Sequence, residues 1–434
     1  MKIQAVRGFK DWLPEDFIKY QYLIDLSRNL LKRANFKEIK LPLLEKTELF
    51  VRSIGEVTDI VQKETYTFQD RNKEFLTLRP EATAGICRMI IEHGLHMRPK
   101  PLKLFTIGPM FRHERPQKGR LREFYQIDVE FIGTLNPFYE VELLELALTI
   151  LKAPFKELAP FKELEEQKQE PFTLEINTLG CPKCRPRYKE YLIEALQNEV
   201  DKLCKTCKER LLRNPLRILD CKNEGCKEVV KGLRKISEFL CEECNQHFEL
   251  IKGLLKERGI TYRINPYLVR GLDYYVRTIF EIKALGLGAQ DTVCAGGRYD
   301  FLLKELGGPD LSATGFAIGL ERWALALFGE EILPAFLEKE ICPDILFIPL
   351  GEEAIKKGLF IVSALRAEGL KVEAFFENRS LKAMLREADK MKAKYALILG
   401  EDELKEGKIV VKNLFMGTQD KISLEKLADY LKRN

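Results

Sequence analysis

The stretch Phe111-Arg112-His113-Glu114-Arg115-Pro116-Gln117-Lys118-Gly119-Arg120-Leu121-Arg122-Glu123-Phe124 decides how the rest of the chain is read. β-type runs flank it, Lys103 to Ile107 on one side and Phe124 to Phe131 on the other, with Pro116 and Gly119 marking the turn. That pattern predicts a hairpin within an antiparallel sheet. Arg112, Arg115, Lys118, Arg120 and Arg122 crowd the turn. Guanidinium forks match phosphate oxygens in bidentate geometry, so a hairpin of this kind suits a polyphosphate ligand. A charged hairpin facing solvent is the plain alternative, and the hairpin alone does not separate the two.

Three further segments follow in order. Arg270-Gly271-Leu272-Asp273-Tyr274-Tyr275 puts a guanidinium, a carboxylate and two phenols in one short run. Ala295-Gly296-Gly297-Arg298-Tyr299-Asp300 reads as following a strand, with glycines that permit close ligand approach. Gly315-Phe316-Ala317-Ile318-Gly319-Leu320-Glu321-Arg322 opens an apolar helix, with Arg322 one turn past the second glycine. Singly, each of the first two could be a turn with aromatic packing, and a lone glycine-rich turn is weak evidence. The specific feature is their order.

Taken together, these segments resemble the class II aminoacyl-tRNA synthetases, and among them the histidyl-tRNA synthetase family, over essentially the whole chain. Pro42 and the helix before it are similar to the first class motif, which forms a dimer interface. Phe111 to Glu114, with Arg120 and Phe124, resemble the second motif, and Gly319 with Arg322 the third. Arg270 to Tyr275 and Ala295 to Asp300 resemble the two histidine-specific signatures. The resemblance implies an α+β catalytic core on an antiparallel sheet, a homodimer, and ATP, used with Mg2+, as substrate. It implies ATP-dependent attachment of L-histidine to histidine tRNA through a histidyl-adenylate.

Residue roles come from the same resemblance. Arg112 and Arg270 would act as catalytic guanidiniums on opposite sides of the α-phosphate, Arg270 where other class II enzymes place a metal. Arg120 and Arg322 would clamp the outer phosphates, Phe124 would stack on adenine, and Glu114 would accept a hydrogen bond from it. Within Arg79-Pro80-Glu81-Ala82-Thr83, Glu81 and Thr83 would hold the α-amino group of histidine with Gln126, Ala82 lying in the same segment. Glu130, Tyr274 and Tyr275 would surround the imidazole. Imidazole has two ring nitrogens, so a carboxylate at one and a phenol at the other satisfy both. An analogue lacking them leaves buried partners unpaired, which rejects it by roughly 10⁴-fold. That accounts for accuracy without an editing domain, and the sequence suggests none. The chain departs from the family at Ala82 and Phe301, where Gly is common, and neither change removes a reacting group.

With 434 residues, the length suggests about three domains. The first part of the catalytic core is expected at 1–171, a mostly helical Cys-rich insertion at 172–259, and the second part of the core at 260–330. A linker would cover 331–342, and a C-terminal α/β anticodon-binding domain 343–434. Strand-like runs are read at Phe36 to Leu41, ending at Pro42, and from Thr261 through Ile282. Past Pro343, strands and helices alternate, which argues for a separate α/β unit.

Lys and Arg number 71 against 66 Asp and Glu, a net charge of +5. A protein coating nucleic acid without specificity would be more basic. No run of about 18 apolar residues exists, so no membrane partner is expected. The first residues carry no apolar signal core, and the expected location is cytoplasmic.

Eight of the eleven cysteines fall in the insertion. Cys181/Cys184, Cys204/Cys207 and Cys241/Cys244 are C-x2-C knuckles, and Cys221/Cys226 is a looser pair. Paired knuckles are the spacing of tetrahedral thiolate zinc sites, and these eight residues suffice for two. Buried thiols without metal, and an iron–sulfur cluster, are the other readings. Arg210, Arg213, Arg217, Lys222, Lys227 and Lys231 offer the insertion phosphate contacts with tRNA, or a solvated face. Two rival functions remain at this stage. One is the non-catalytic regulatory subunit of ATP phosphoribosyltransferase, which shares the core fold but usually loses site residues and the C-terminal domain. The other is a zinc-dependent nucleic-acid-binding protein. Arg112, Arg120, Arg270 and Arg322 together argue against both.

Overall fold

Leu102–Phe111 and Glu123–Ile132 pair antiparallel over ten positions, from Leu102 opposite Ile132 to Phe111 opposite Glu123. The expected hairpin therefore forms, and it lies at the centre of the fold. The computed structural model describes residues 3–433 apart from 56–57, 59, 134–135, 157–169, 289–290, 330–332 and 378. The chain forms two units, Met1–Trp12 with Lys19–Ile332 and Leu13–Ile18 with Leu333–Asn434.

In the larger unit the strands are β1 (Lys37–Glu38), β2 (Leu44–Lys46), β3 (Tyr66–Gln69), β4 (Phe75–Leu78), β5 (Leu102–Phe111), β6 (Glu123–Ile132), β7 (Phe172–Thr178), β8 (Tyr262–Ile264), β9 (Val276–Ala284), β10 (Thr292–Arg298) and β11 (Ala313–Gly319). Eight of them form one sheet in the order β1-β5-β6-β11-β10-β9-β7-β8. Its interior pairings are antiparallel, and the β1–β5 and β7–β8 pairs at its two edges are parallel. A small separate sheet runs β2-β4-β3. The helix Phe138–Lys152 buries Leu143, Leu144, Ala147, Ile150 and Leu151, the i, i+3, i+4 spacing of one helical face. Trp323, fully buried, donates its indole N–H to Leu151 O at 3.3 Å. Burial of each large side chain here contributes about 1.5–3 kcal/mol.

Several expectations need correction. The insertion was expected from 172, but Phe172–Thr178 is β7, which buries Phe172, Leu174 and Ile176 and pairs with β8 and β9. The change of composition at Cys181 lies just beyond the strand, and the first helix of the insertion is Cys184–Gln197. The expected strand from Thr261 to Ile282 is broken: 265–275 forms a loop between β8 and β9. Gly296 and Gly297 do not follow a strand but lie inside β10. A Cβ on Gly296 would meet Gly315 O of the adjacent strand at 2.1 Å, so the glycines there let backbones close up. Phe36 to Leu41 yields only the two-residue β1, because the chain turns off the sheet edge into Pro42. The expected linker contains the helix Ala335–Ile341, and its starting boundary at 330–331 lies outside the described residues.

The smaller unit carries β12 (Ile345–Pro349), β13 (Val372–Ala374), β14 (Tyr395–Leu399), β15 (Lys408–Asn413) and β16 (Gln419–Ser423), in the order β13-β12-β14-β15-β16. β12 pairs parallel with both neighbours, and β14–β15–β16 run antiparallel. Ile345 and Phe347 pack into one apolar cluster, Leu346 and Ile348 into another, the alternation of a strand covered on both faces. The mostly exposed, polar β16 gives no apolar signal and was not anticipated.

Candidate active site

Alternation along β6 sends Gln126, Asp128 and Glu130 to one face, and their partners on β11 are Gly319, Ala317 and Gly315. The small residues leave room for this polar row. The clearest case is Gly315, where a Cβ would lie 1.5 Å from Glu130 Oε2. Glu130 is fully buried. Its Oε1 accepts from Thr83 Oγ1 at 2.7 Å, and its Oε2 accepts from the hydroxyl of Tyr299. Burial raises its pKa to about 8, against the two hydrogen bonds that favour the carboxylate. Burial likewise raises Asp128 to about 8, against the pull of Arg79. Gln126 Oε1 and Asp128 Oδ2 are buried with no hydrogen-bond partner among the described residues.

The rings of Tyr274, Tyr275 and Tyr299 stand together, with centroids 4.7 Å apart for Tyr274–Tyr275 and 5.5 Å for Tyr274–Tyr299. Glu81 accepts from the amides of Thr83 at 2.6 Å and Ala84 at 3.0 Å, at the start of the helix Thr83–Glu92. This satisfies amides a helix leaves unpaired and fixes the buried Ala82 backbone between them. The structure thus brings Thr83, Glu130, Tyr274 and Tyr275 into one buried cluster, with Glu81 and Ala82 buried next to Thr83 and Gln126 bordering the neighbouring cavity.

Next to that cluster is a cavity of about 730 Å³, lined by Arg112, Arg120, Arg270, Arg322, Glu114 and Phe124. Arg112 Nε donates to Pro80 O at 2.9 Å, and its guanidinium lies 5.2 Å from the centre of the Phe124 ring. Glu114 forms an ion pair with Arg120. Arg322 projects from the first turn of the helix Leu320–Phe328 and donates to Gly119 O at 2.8 Å and Thr292 O at 3.1 Å. The sequence put Gly315 in a turn, but it belongs to β11, and only Gly319 borders the helix. Arg270 donates from Nη1 to Glu281 Oε1 at 2.8 Å and stacks over Tyr275 at 5.6 Å. It therefore bridges the cavity and the tyrosine cluster.

The cations here are crowded. Burial, then Arg120 and Arg112, lower the pKa of Arg322, and burial lowers that of Arg112, which also feels Arg270. Burial works to discharge Arg270, but Tyr275 and Glu281 outweigh it and raise its pKa. Such a cluster gains from a polyanion that screens the mutual repulsion. A neighbouring cavity of about 620 Å³ is shared by Arg112, Arg120 and Arg270 with Arg210, Arg213, Arg217 and Lys222 of the insertion.

Sequence reading missed three residues. Tyr299 lay within a quoted segment without a role, Asp128 was readable only from the alternation of β6, and Glu281 has no local signal.

The eight cysteines form two tetrads, Cys181/Cys184/Cys241/Cys244 and Cys204/Cys207/Cys221/Cys226, each with its sulfurs within 4.8 Å of one another. Backbone amides point at the sulfurs: Cys241 N donates to Cys184 Sγ at 3.0 Å and Cys204 N to Cys226 Sγ at 3.2 Å. Cys87 and Cys294 are buried singly, as small apolar groups.

An antiparallel sheet carrying a cationic hairpin, an aromatic platform and an arginine at a helix start defines a class II aminoacyl-tRNA synthetase. The family model described as histidyl-tRNA synthetase matches residues 8–323, and that described as an anticodon binding domain matches residues 344–434. Histidine–tRNA ligase of Halothermothrix orenii is 44% identical over 100% of both chains. That of Desulfotalea psychrophila is 44% identical over 98% of this chain and 94% of its own. The chain belongs to the histidyl-tRNA synthetase family. A crystal structure of apo S. aureus histidyl-tRNA synthetase superposes with TM-score 0.79 at 33% identity, covering 99% of this chain and 100% of that one. A Bacillus halodurans protein described as an ATP phosphoribosyltransferase regulatory subunit/histidyl-tRNA synthetase, 21% identical with TM-score 0.62 over 92% of this chain and 99% of that one, shares the fold. No helix among the described residues is long and apolar enough to cross a membrane.

Proposed function

We propose that the chain activates L-histidine with ATP and transfers it to histidine tRNA. The observation that carries this reading is the adjacency of two subsites, four guanidiniums around one cavity and a buried carboxylate ringed by phenols beside it. The family assignment and the match of the C-terminal residues to an anticodon binding domain favour it over the regulatory-subunit alternative.

In the first step the histidine carboxylate attacks the α-phosphorus in line, the bond to the β-phosphate oxygen breaks, and pyrophosphate leaves. Catalysis is then mostly positioning and charge stabilisation. Arg112 and Arg270 meet the charge developing on the α-phosphate, while Arg120 and Arg322 hold the outer phosphates. Phe124, backed by Arg112, offers adenine a stacking face. Glu114 turns from Arg120 toward the adenine amino group when nucleotide enters. ATP would bring magnesium, a hard cation that neutralises charge on the β- and γ-phosphates, and Glu281 and Glu321, among the carboxylates lining this cavity, would be able to hold it. Glu81, Thr83 and Gln126 receive the α-ammonium group. Glu130 takes one imidazole N–H, and the tyrosines enclose the ring. A terminal tRNA hydroxyl then attacks the adenylate carbonyl and AMP leaves. The basic wall formed by Arg210, Arg213, Arg217 and Lys222 leads the tRNA end to the site.

The domain divisions follow the same reading, with the insertion taken from about 180 instead of 172. Each cysteine tetrad is read as a zinc site, since four sulfurs at this spacing are the donor set of tetrahedral zinc. The working species is read as a homodimer. The deciding experiment is ATP–pyrophosphate exchange. Exchange that depends on histidine and not on other amino acids is expected, and its absence would overturn the assignment.

A further inference from the structure

We propose that the tetrad Cys181, Cys184, Cys241 and Cys244, with zinc bound, clamps the histidine loop Arg270–Tyr275 in place, and that Arg185 is the positioning residue linking the two. The proposal rests on the zinc reading above. The insertion leaves the core after β7 and returns through the helix Glu242–Glu257, so the two knuckles are the two sides of its stem. Gly180, at φ +63°, makes the turn into the first knuckle, and a Cβ there would lie 2.7 Å from Cys184 Cβ.

Both sides of the stem are tied to one short piece of chain, just past the histidine loop. Arg277 N donates to Gly180 O at 2.8 Å, and Leu179 N donates to Arg277 O at 2.7 Å. The Arg277 guanidinium pairs with Glu243, which lies between Cys241 and Cys244. Arg277 itself has φ +52°, unusual for a side-chain-bearing residue, and it is held there by these contacts. The loop is gripped directly as well. Arg185, next to Cys184, donates to Asp273 O at 3.3 Å and to the carbonyl of Tyr275. Those carbonyls flank Tyr274, so the stem holds the backbone from outside while the tyrosine rings face the Glu130 cluster. A metal drawing four thiolates together contributes folding energy outright, and here that energy would be spent closing the stem on Arg277 and Arg185. The second tetrad has a different neighbourhood. Its Cys221 lines the cavity beside the four guanidiniums, and Asn214, between Cys207 and Cys221, donates to Asp273 Oδ1 at 3.0 Å, so it reaches the loop through a side chain where the first tetrad holds backbone carbonyls. It serves as a comparison, with the looser hold on the loop.

The test uses the full chain, with metal content measured by plasma mass spectrometry and histidine and ATP affinities by calorimetry. The intact protein should hold two zinc ions. Arg185→Gln should keep both yet bind histidine about tenfold more weakly, the loss expected for charge-assisted hydrogen bonds, with ATP affinity nearly unchanged. Cys241→Ser should lose one zinc and show the same selective loss, whereas Cys226→Ser should lose one zinc and a smaller share of its histidine affinity. A chain with no zinc, or with iron in its place, overturns the metal reading. Two zinc ions with Arg185→Gln binding histidine as tightly as the parent overturns the link. A loss of ATP affinity equal to that of histidine in Arg185→Gln would mean general loosening, and overturns it too.

Discussion

Glu130 places a carboxylate oxygen where a side chain on Gly315 would have to stand, so these two residues on neighbouring strands share one volume. A methyl group at 315 would lie 1.5 Å from Oε2 and drive the carboxylate away from Thr83 and Tyr299. Gly315→Ala should weaken histidine binding at least about tenfold through the broken buried hydrogen bonds. Calorimetry with histidine and with ATP checks this, because ATP affinity should change far less. Equal losses for both ligands would point to a folding defect.

Protonation of Glu130 should govern the pH dependence of histidine binding. Its pKa of about 8 keeps the carboxyl largely neutral at pH 7, and an ionised acceptor holds an imidazole N–H more strongly than a neutral one. Histidine affinity should therefore rise with pH between about 7 and 8, above the range in which the ligand's own imidazole titrates, and then level off, with protons released on binding. Glu130→Gln should bind weakly at every pH, without that slope. The stability of the ligand-free chain should move the opposite way. The native carboxyl keeps its proton to higher pH than the unfolded one, so this group's contribution is fully present below about 4.5 and is lost as pH rises toward 8. Thermal melts across this range, parent against Glu130→Gln, read the difference.

Arg270 should matter most as the α-phosphate gathers charge. Its bond to Glu281 at 2.8 Å and its stacking over Tyr275 hold the guanidinium in place before ligand arrives. Replacing Arg270 with His should slow adenylate formation by about 10²–10³, the effect of losing one such donor, while histidine affinity falls much less. Rapid-quench measurement of adenylate separates the two. Adenylation within a few-fold of the parent would leave Arg270 as a structural ion-pair partner.

The sequence disclosed these arginines because each sits in a short distinctive motif, Arg112 and Arg120 in the cationic turn, Arg270 beside a carboxylate and two phenols, and Arg322 at the start of an apolar helix. Arg112, Arg120, Arg270 and Arg322 are far apart in the chain, yet all four line one cavity. Glu281 escaped notice for the opposite reason. It is one charged residue in an alternating strand, and its pairing with Arg270 exists only once the 265–275 loop folds back over β9. Composition misled at β7, whose alternation is plain but which lies next to the cysteine-rich segment. The knuckles were readable from local spacing. Their partition into tetrads was not, since joining Cys181 to Cys241 depends on closure of the stem.

A homodimer is expected through the small β2-β4-β3 sheet. Leu43, Leu44, Phe68 and Phe75 lie on or beside it and are exposed, and the register puts Leu44 and Phe68 on one face with Leu76 and Leu78. Light scattering should give twice the chain mass at micromolar concentration. Phe68→Asp combined with Leu44→Asp should yield monomers with reduced exchange activity. A parent protein that is monomeric and fully active would refute the expectation.

The residues from 344 onward should read the anticodon of histidine tRNA. They match an anticodon binding domain and form a sheet of their own, β13-β12-β14-β15-β16, with apolar clusters on both faces. From 343 on, the chain carries 17 basic and 15 acidic residues, so non-specific attraction to phosphate is weak. Recognition must then rest on base edges and stacking, the usual basis of sequence-specific RNA binding. Phe415 and Met416 are exposed at the turn between β15 and β16, and an unstacked base can lie against an aromatic face for about 1–3 kcal/mol. Anticodon substitutions in the tRNA should lower kcat/KM for charging by the intact enzyme while histidine-dependent pyrophosphate exchange is unaffected. Phe415→Ala should reduce charging of the normal tRNA by about fivefold or more, fivefold being the lower end of that stacking energy, and narrow its margin over substituted tRNAs. Unchanged charging by Phe415→Ala would remove that turn from the interface. Indifference of the intact enzyme to every anticodon substitution would remove the whole domain from anticodon reading.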